Sequence, residues 1–96
     1  MLKHVVLFKF KPETTEDDIE KLAAGLGTLP GIIKEIREFV FGRDIVRSER
    51  SYDFGLVSSF DDRAALDRYT IHPDHQQVVV HIRMICSGVV AIDFDY

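Results

Sequence analysis

From Lys3 to Lys11 the β-branched and aromatic residues fit a strand, with His4, Val6, Phe8 and Phe10 on one face and Val5, Leu7 and Lys9 on the other. Both faces are mostly apolar. A strand with one solvated face alternates hydrophobic with polar residues, so the sheet that this strand enters must be covered on each side. The end of the chain repeats the pattern, with Val89 and Ala91 set against Val90, Ile92 and Phe94 in a strand over residues 89–94. Whatever the chain folds into must bury both sides of these two strands.

Between them the signals run in a definite order. Pro12 closes the first strand, and either Thr14 or Thr15 can cap a helix whose first turn carries Glu16, Asp17 and Asp18, the sign that suits the positive end of the helix dipole. Ile19, Leu22, Ala23 and Leu26 follow helical spacing. Gly25 and Gly27 weaken its end, and Leu29-Pro30-Gly31 reads as a turn. After an irregular stretch at Ile32 and Ile33 a strand is expected from about Ile36 to Ile45. The polar run Arg47-Ser48-Glu49-Arg50-Ser51 is a hairpin loop, and its arginines with Arg43 are read as solvated rather than as an anion site. Tyr52 to Phe60 forms the next strand, with Tyr52, Phe54, Leu56, Ser58 and Phe60 on one face.

Asp61 is placed to cap a short helix holding Ala64, Ala65, Leu66 and Tyr69, which Pro73 stops. Pro73 can also occupy the first position of a third helix, because its missing N–H costs nothing there. That helix runs to about Met84 or Cys86 with Val78, Val79, Ile82 and Ile85 inward, and Ser87-Gly88 ends it. The order is β-α-β-β-α-α-β, an α+β protomer with an antiparallel four-stranded sheet and its helices on one face. The helices leave Val5, Leu7, Val57 and one side of the last strand as an apolar patch larger than soluble monomers carry, and a second copy packed sheet to sheet is the simplest cover.

Charge and cysteine content narrow the classes of function. Twelve basic residues against sixteen acidic ones give a net charge of −4, without the basic face that nucleic-acid binding needs. The opening apolar run is too short for a membrane span or the core of a signal peptide. Cys86 stands alone, so no disulfide framework is expected, and the natural setting is reducing and cytoplasmic, with the thiol acting as a small buried hydrophobe. Residues 1–96 read as one domain. His72 and His75 are separated in conformation by Pro73, and His81 lies about 240° around the helix from His75, so neither a metal centre nor a cofactor is expected.

The stretch Lys3-His4-Val5-Val6-Leu7-Phe8-Lys9-Phe10, the pair Tyr52-Asp53, Tyr69 with His72-Pro73-Asp74-His75, and the closing Asp93-Phe94 resemble, in order and spacing, the stress-responsive A/B barrel family of dimeric α/β barrel domains. The resemblance covers nearly the whole chain. It implies a ferredoxin-like protomer, two of which pair through their sheets. It also implies a cavity between sheet and helices, in which a plant member closes a linear polyketide by aldol condensation with a Tyr and a His that match Tyr69 and His75; its first-strand His matches His4. That enzyme carries bulky aromatics on its first helix where this chain has Ala23 and Leu26, so the pocket and its substrate should differ.

Such a reaction needs a base beside a carbonyl and a donor for the oxyanion that forms. His75, near a helix N-terminus, is suited to be the neutral base, and Tyr69 the donor. His4, Val6, Phe8, Ala23 and Leu26 are the expected substrate-binding walls. His72 is read as a helix cap or backbone partner. The expectation is therefore a cofactor-independent lyase or cyclase acting on an unidentified small molecule. A non-catalytic stress-response or ligand-binding dimer and a monooxygenase-like barrel enzyme are the alternatives.

Overall fold

The strand with two apolar faces lies at the centre of the sheet. In the computed structural model, which describes residues 1–96, β1 (Leu2–Phe10) pairs antiparallel with β3 (Phe54–Phe60) on one side and with β4 (Cys86–Asp95) on the other, and β2 (Glu38–Arg43) extends the sheet beyond β3. The strand order is β2-β3-β1-β4. Three helices lie on one face: α1 (Glu16–Ile32), α2 (Arg63–Ile71) and α3 (Pro73–Ile85). The fold is thus the α+β, ferredoxin-like arrangement expected from the sequence. No helix is long and apolar enough to cross a membrane.

The start of α1 follows the capping signals. Thr15 accepts a hydrogen bond from the Asp18 backbone N–H at 3.2 Å, and its own N–H donates to the Asp18 carboxylate at 3.1 Å, a reciprocal capping box. Its end does not. The expected turn at Leu29-Pro30-Gly31 is helical, and the helix continues to Ile32. A proline inside a helix costs about 3 kcal/mol, chiefly through the lost bond to the carbonyl four residues back. Continuing the helix keeps Leu29 and Ile33 on the same stripe as Leu22 and Leu26, and all four are buried. Burying two such side chains is worth roughly 3–6 kcal/mol, and Pro30 itself faces solvent, so tertiary packing overrides the local signal.

Two further boundaries move. The β2 and β3 strands are shorter than expected, and the chain between Asp44 and Asp53 is tied into its own loop: Arg47 N–H donates to the Asp44 carboxylate at 2.6 Å, and Ser51 N–H to the Ser48 carbonyl at 3.1 Å. At the other end Ser87-Gly88 is no turn. The chain leaves α3 directly into β4 through Cys86, which has extended backbone angles, and Ser87 is the extra residue of a bulge in β4 opposite Lys9 and Phe10.

The helix-covered face carries Leu2, Val6 and Phe8 from β1 with Phe54, Leu56 and Phe60 from β3, packed against Leu22, Leu26, Leu29 and Tyr69. The opposite face has no covering layer within the protomer. There the register aligns Val40, Val57, Val5 and Ile92 in one row across all four strands, and Gly42, Gly55, Leu7 and Val90 in the next.

Candidate functional site

The site begins at the junction of α2 and α3, which are joined through a single residue. His72 is at once the C-cap of α2 and the N-cap of α3, and its Nδ1 accepts from Asp74 N–H at 3.1 Å. Pro73 takes the first position of α3, where a missing N–H is harmless. Asp62, not the expected Asp61, opens α2 by accepting from Ala65 N–H at 2.9 Å, while Asp61 pairs with Arg37. Tyr69 therefore projects from the last turn of one helix and His75 from the first turn of the next, with ring centroids 4.3 Å apart.

His75 Nδ1 lies 2.9 Å from the Thr70 carbonyl oxygen. A carbonyl can only accept, so Nδ1 carries the proton, and in the neutral ring Nε2 is left with its lone pair free. Burial lowers the pKa of His75; the Thr70 bond opposes this, and the charges of His4 and His72 add to the lowering. The imidazole is accordingly held in its proton-accepting form at neutral pH. Gln76 donates to the same carbonyl at 2.6 Å, which fixes the acceptor in place.

Tyr69 is only 1% exposed, and its ring packs on Phe60 at 4.9 Å. Burial pushes its phenol far above the ordinary value, so the hydroxyl stays protonated and acts as a donor. That hydroxyl makes no hydrogen bond to another protein group, and no fully buried polar side-chain atom lacks a partner, so it opens onto the adjoining space. His4, on β1, sits 6.3 Å from the Tyr69 ring and is hydrogen-bonded through Nδ1 to the Asp93 carboxylate across the β1/β4 pair. The carboxylate fixes the imidazole's orientation and holds the proton on Nδ1.

The space these groups share is a cavity of about 320 Å³ between the sheet and α3. Apart from His4, Tyr69, His75 and Arg83 its walls are apolar: Val6, Phe8 and Leu56 form the floor, Leu26 comes from α1, Val78, Val79 and Ile82 from α3, and Val89 and Ala91 from β4. Of the expected site residues, His4, Val6, Phe8, Leu26, Tyr69 and His75 all line it. Ala23 does not. It lies on the shallow surface between α1 and β2 with Ile19 and Phe41. At about 100° per residue Ala23 sits on the β2 flank of α1 and Gly25 on the α3 flank, where a methyl group added to Gly25 would meet Val78 at 3.3 Å.

Arg83, Leu56, Val89 and Ala91 are wall residues that the sequence reading left out. The spacing His75, Val79, Ile82, Arg83 is one helical strip and would have pointed to the arginine. No group of three or more His, Cys, Asp or Glu is arranged to hold a metal ion. His81 stands apart from the site, donating from Nε2 to the Asp18 carbonyl at 2.9 Å.

The pattern of known proteins agrees with this architecture. The model for the stress responsive A/B barrel domain matches residues 2–96. The chain belongs to that family. An uncharacterized protein of Streptomyces coelicolor is 34% identical over 98 residues, covering 100% of both chains. Olivetolic acid cyclase of Cannabis sativa is 29% identical over 76 residues, 77% of this chain and 75% of the cyclase. Among solved structures, a dimeric ferredoxin-like protein of unknown function from Thermobifida fusca superposes with a TM-score of 0.91 at 29% identity, over 99% of this chain and 90% of that one. A hydroxynitrile lyase from Passiflora edulis (TM-score 0.86, 18% identity, 97% of this chain and 90% of that one) and an antibiotic biosynthesis monooxygenase (0.81, 19%, 100% and 98%) share the fold alone.

Proposed function

We propose that the chain acts as a homodimer in which each protomer holds a small carbonyl compound in the cavity and performs cofactor-independent proton transfer on it, chemistry of the cyclase or lyase kind. His75 Nε2 removes a proton from the carbon next to the carbonyl, and the Tyr69 hydroxyl donates to the oxyanion that develops. His4, oriented by Asp93, is a second polar group at the same carbonyl. The proton held on His75 then returns to the product, so the protein ends unchanged. The observation that carries the reading is the fixed tautomer of His75, a free imidazole lone pair beside an unpartnered phenol in apolar surroundings. The relative named olivetolic acid cyclase supports the class of reaction, and the apolar outer rows of the sheet together with the dimeric solved relative support the assembly through sheet faces.

The test needs no knowledge of the natural substrate. A panel of simple ketones and β-diketones is incubated with the protein in deuterated buffer, and exchange of the protons next to the carbonyl is followed by NMR. Exchange above the buffer rate is expected for the wild type, with loss in His75→Ala and a strong reduction in Tyr69→Phe. A wild-type rate equal to that of His75→Ala would remove the catalytic assignment and leave a ligand-binding dimer as the function.

A further inference from the structure

Five of the seven arginines hold a carboxylate: Arg37 pairs with Asp61, Arg43 with Glu16, Arg47 with Asp44 and Asp53, Arg63 with Asp67, and Arg68 with Glu35. Of the other two, Arg50 lies in the exposed loop between β2 and β3. Arg83 lines the cavity and makes no ion pair or hydrogen bond to the protein. Arg83 is exposed like Arg50, but of the two unpaired arginines it alone borders the apolar cavity.

We propose that Arg83 is the anion-binding end of the cavity and that the ligand is a small, mostly apolar carboxylic acid whose carboxylate meets the guanidinium while its carbonyl lies at Tyr69 and His75. This rests on the small-molecule reading of the cavity given above and adds the chemical class of the ligand. Arg83 follows His75 by eight residues on α3, a rise of about 12 Å and a rotation that returns it to within about 80° of the same flank. Val79 and Ile82 lie between them on that flank, and both line the cavity. Base and cation are therefore two ends of one strip, with apolar wall between.

No carboxylate lines the cavity, so nothing inside it competes for the guanidinium. Asp93, which meets the wall residue His4 from β4, is held by that imidazole. A guanidinium presents a planar fork that matches a carboxylate with two parallel hydrogen bonds, and its stem packs along apolar wall while the head stays at the mouth. One guanidinium balances a monoanion. A phosphate dianion would bring a second charge for which the cavity has no cation. The volume of about 320 Å³ is at the small end of ligand sites and suits a short acid.

Hexanoate, methyl hexanoate and hexanol serve as probes in calorimetric and NMR titrations of the full chain at a pH where the acid is ionised. Wild type is expected to bind hexanoate at least tenfold more tightly than the ester or the alcohol. In Arg83→Met, which keeps the apolar stem, that preference should fall to near one, and Arg83→Lys should restore part of it. Equal binding of acid and ester by the wild type overturns the proposal, as does an acid preference that survives in Arg83→Met. Dissociation of the dimer by Arg83→Met also overturns it, because the arginine is then a contact to the second copy. If neither acid nor ester perturbs the resonances of Tyr69 and His75, this proposal and the small-molecule reading fail together; if they bind alike, only this one does.

Discussion

Replacing Tyr69 by Phe separates a working hydroxyl from a structural one. The ring is 1% exposed and in contact with Phe60 and His75, at centroid distances of 4.9 and 4.3 Å, and phenylalanine keeps all of that packing. What is lost is a hydroxyl with no protein partner. A buried hydroxyl that makes a hydrogen bond contributes about 0.5–1.5 kcal/mol, whereas one buried without a bond costs about 1–3 kcal/mol by mutational measures. Because the Tyr69 hydroxyl opens onto the cavity, only part of that cost applies, and Tyr69→Phe is expected to be neutral or to stabilise by up to about 1 kcal/mol. Urea unfolding at a fixed protomer concentration reads this directly, since 1 kcal/mol moves the midpoint by roughly 0.3–1 M for a domain of this size. The same variant should lose most of its carbonyl exchange activity. A stability loss of about 1 kcal/mol or more would refute the reasoning, because it would mean that the hydroxyl holds the fold together. Tyr69→Ala sets the scale of a real packing loss, at about 3–5 kcal/mol.

Two other outcomes follow from the geometry. The folded-state pKa of His75 lies below its ordinary value of 6.5, so on acidification the unfolded chain takes up a proton that the folded imidazole resists. The stability linked to this group is present above about pH 6.5 and is lost as pH falls toward the folded-state value; the gap in urea midpoint between wild type and His75→Gln should narrow or reverse between pH 8 and pH 5, and an unchanged gap counts against a half-buried neutral imidazole. On the outer sheet face, Val57→Glu places a carboxylate in the middle of the row Val40, Val57, Val5 and Ile92. Solvated in the lone protomer but desolvated between two sheets, it should give monomers in sedimentation velocity at micromolar concentration with the circular dichroism unchanged; a persistent dimer places the interface elsewhere.

Much of the fold was legible because its strongest signals are local and repeated. The two apolar faces of β1 belong to a strand flanked on both sides in the sheet, and Thr15 with Asp18 announces the start of α1. The misread boundaries share a cause. Pro30 and Ser87-Gly88 carry turn chemistry, yet the first lies on the solvent side of a helix whose other side is held by Leu29 and Ile33, and the second is drawn into pairing with β1. In each case the competing interaction is distant in sequence. The site divides in the same way. His4, Val6, Phe8, Leu26, Tyr69 and His75 come together because strand parity and helix phase are set by periodicity. Ala23 was misplaced because a core stripe on α1 has two flanks, and only the position of α3 determines which flank meets the cavity. The tautomer of His75 had no sequence signal, since it depends on a backbone carbonyl of the preceding helix.

The shared residue His72 leaves α2 and α3 with no linker between them. The chain can therefore tolerate exchange of wall residues far more readily than it can tolerate a change of length. One residue inserted between Tyr69 and His75 within either helix would rotate one side chain by about 100° relative to the other, and one added at the junction would separate the cap that serves both helices. A loop would absorb such a change; this corner has none. The interval of six positions between the two side chains is then a stricter signature of the proposed chemistry than any residue of the pocket lining, and relatives that keep both residue types at a different interval are expected to retain the fold without that activity.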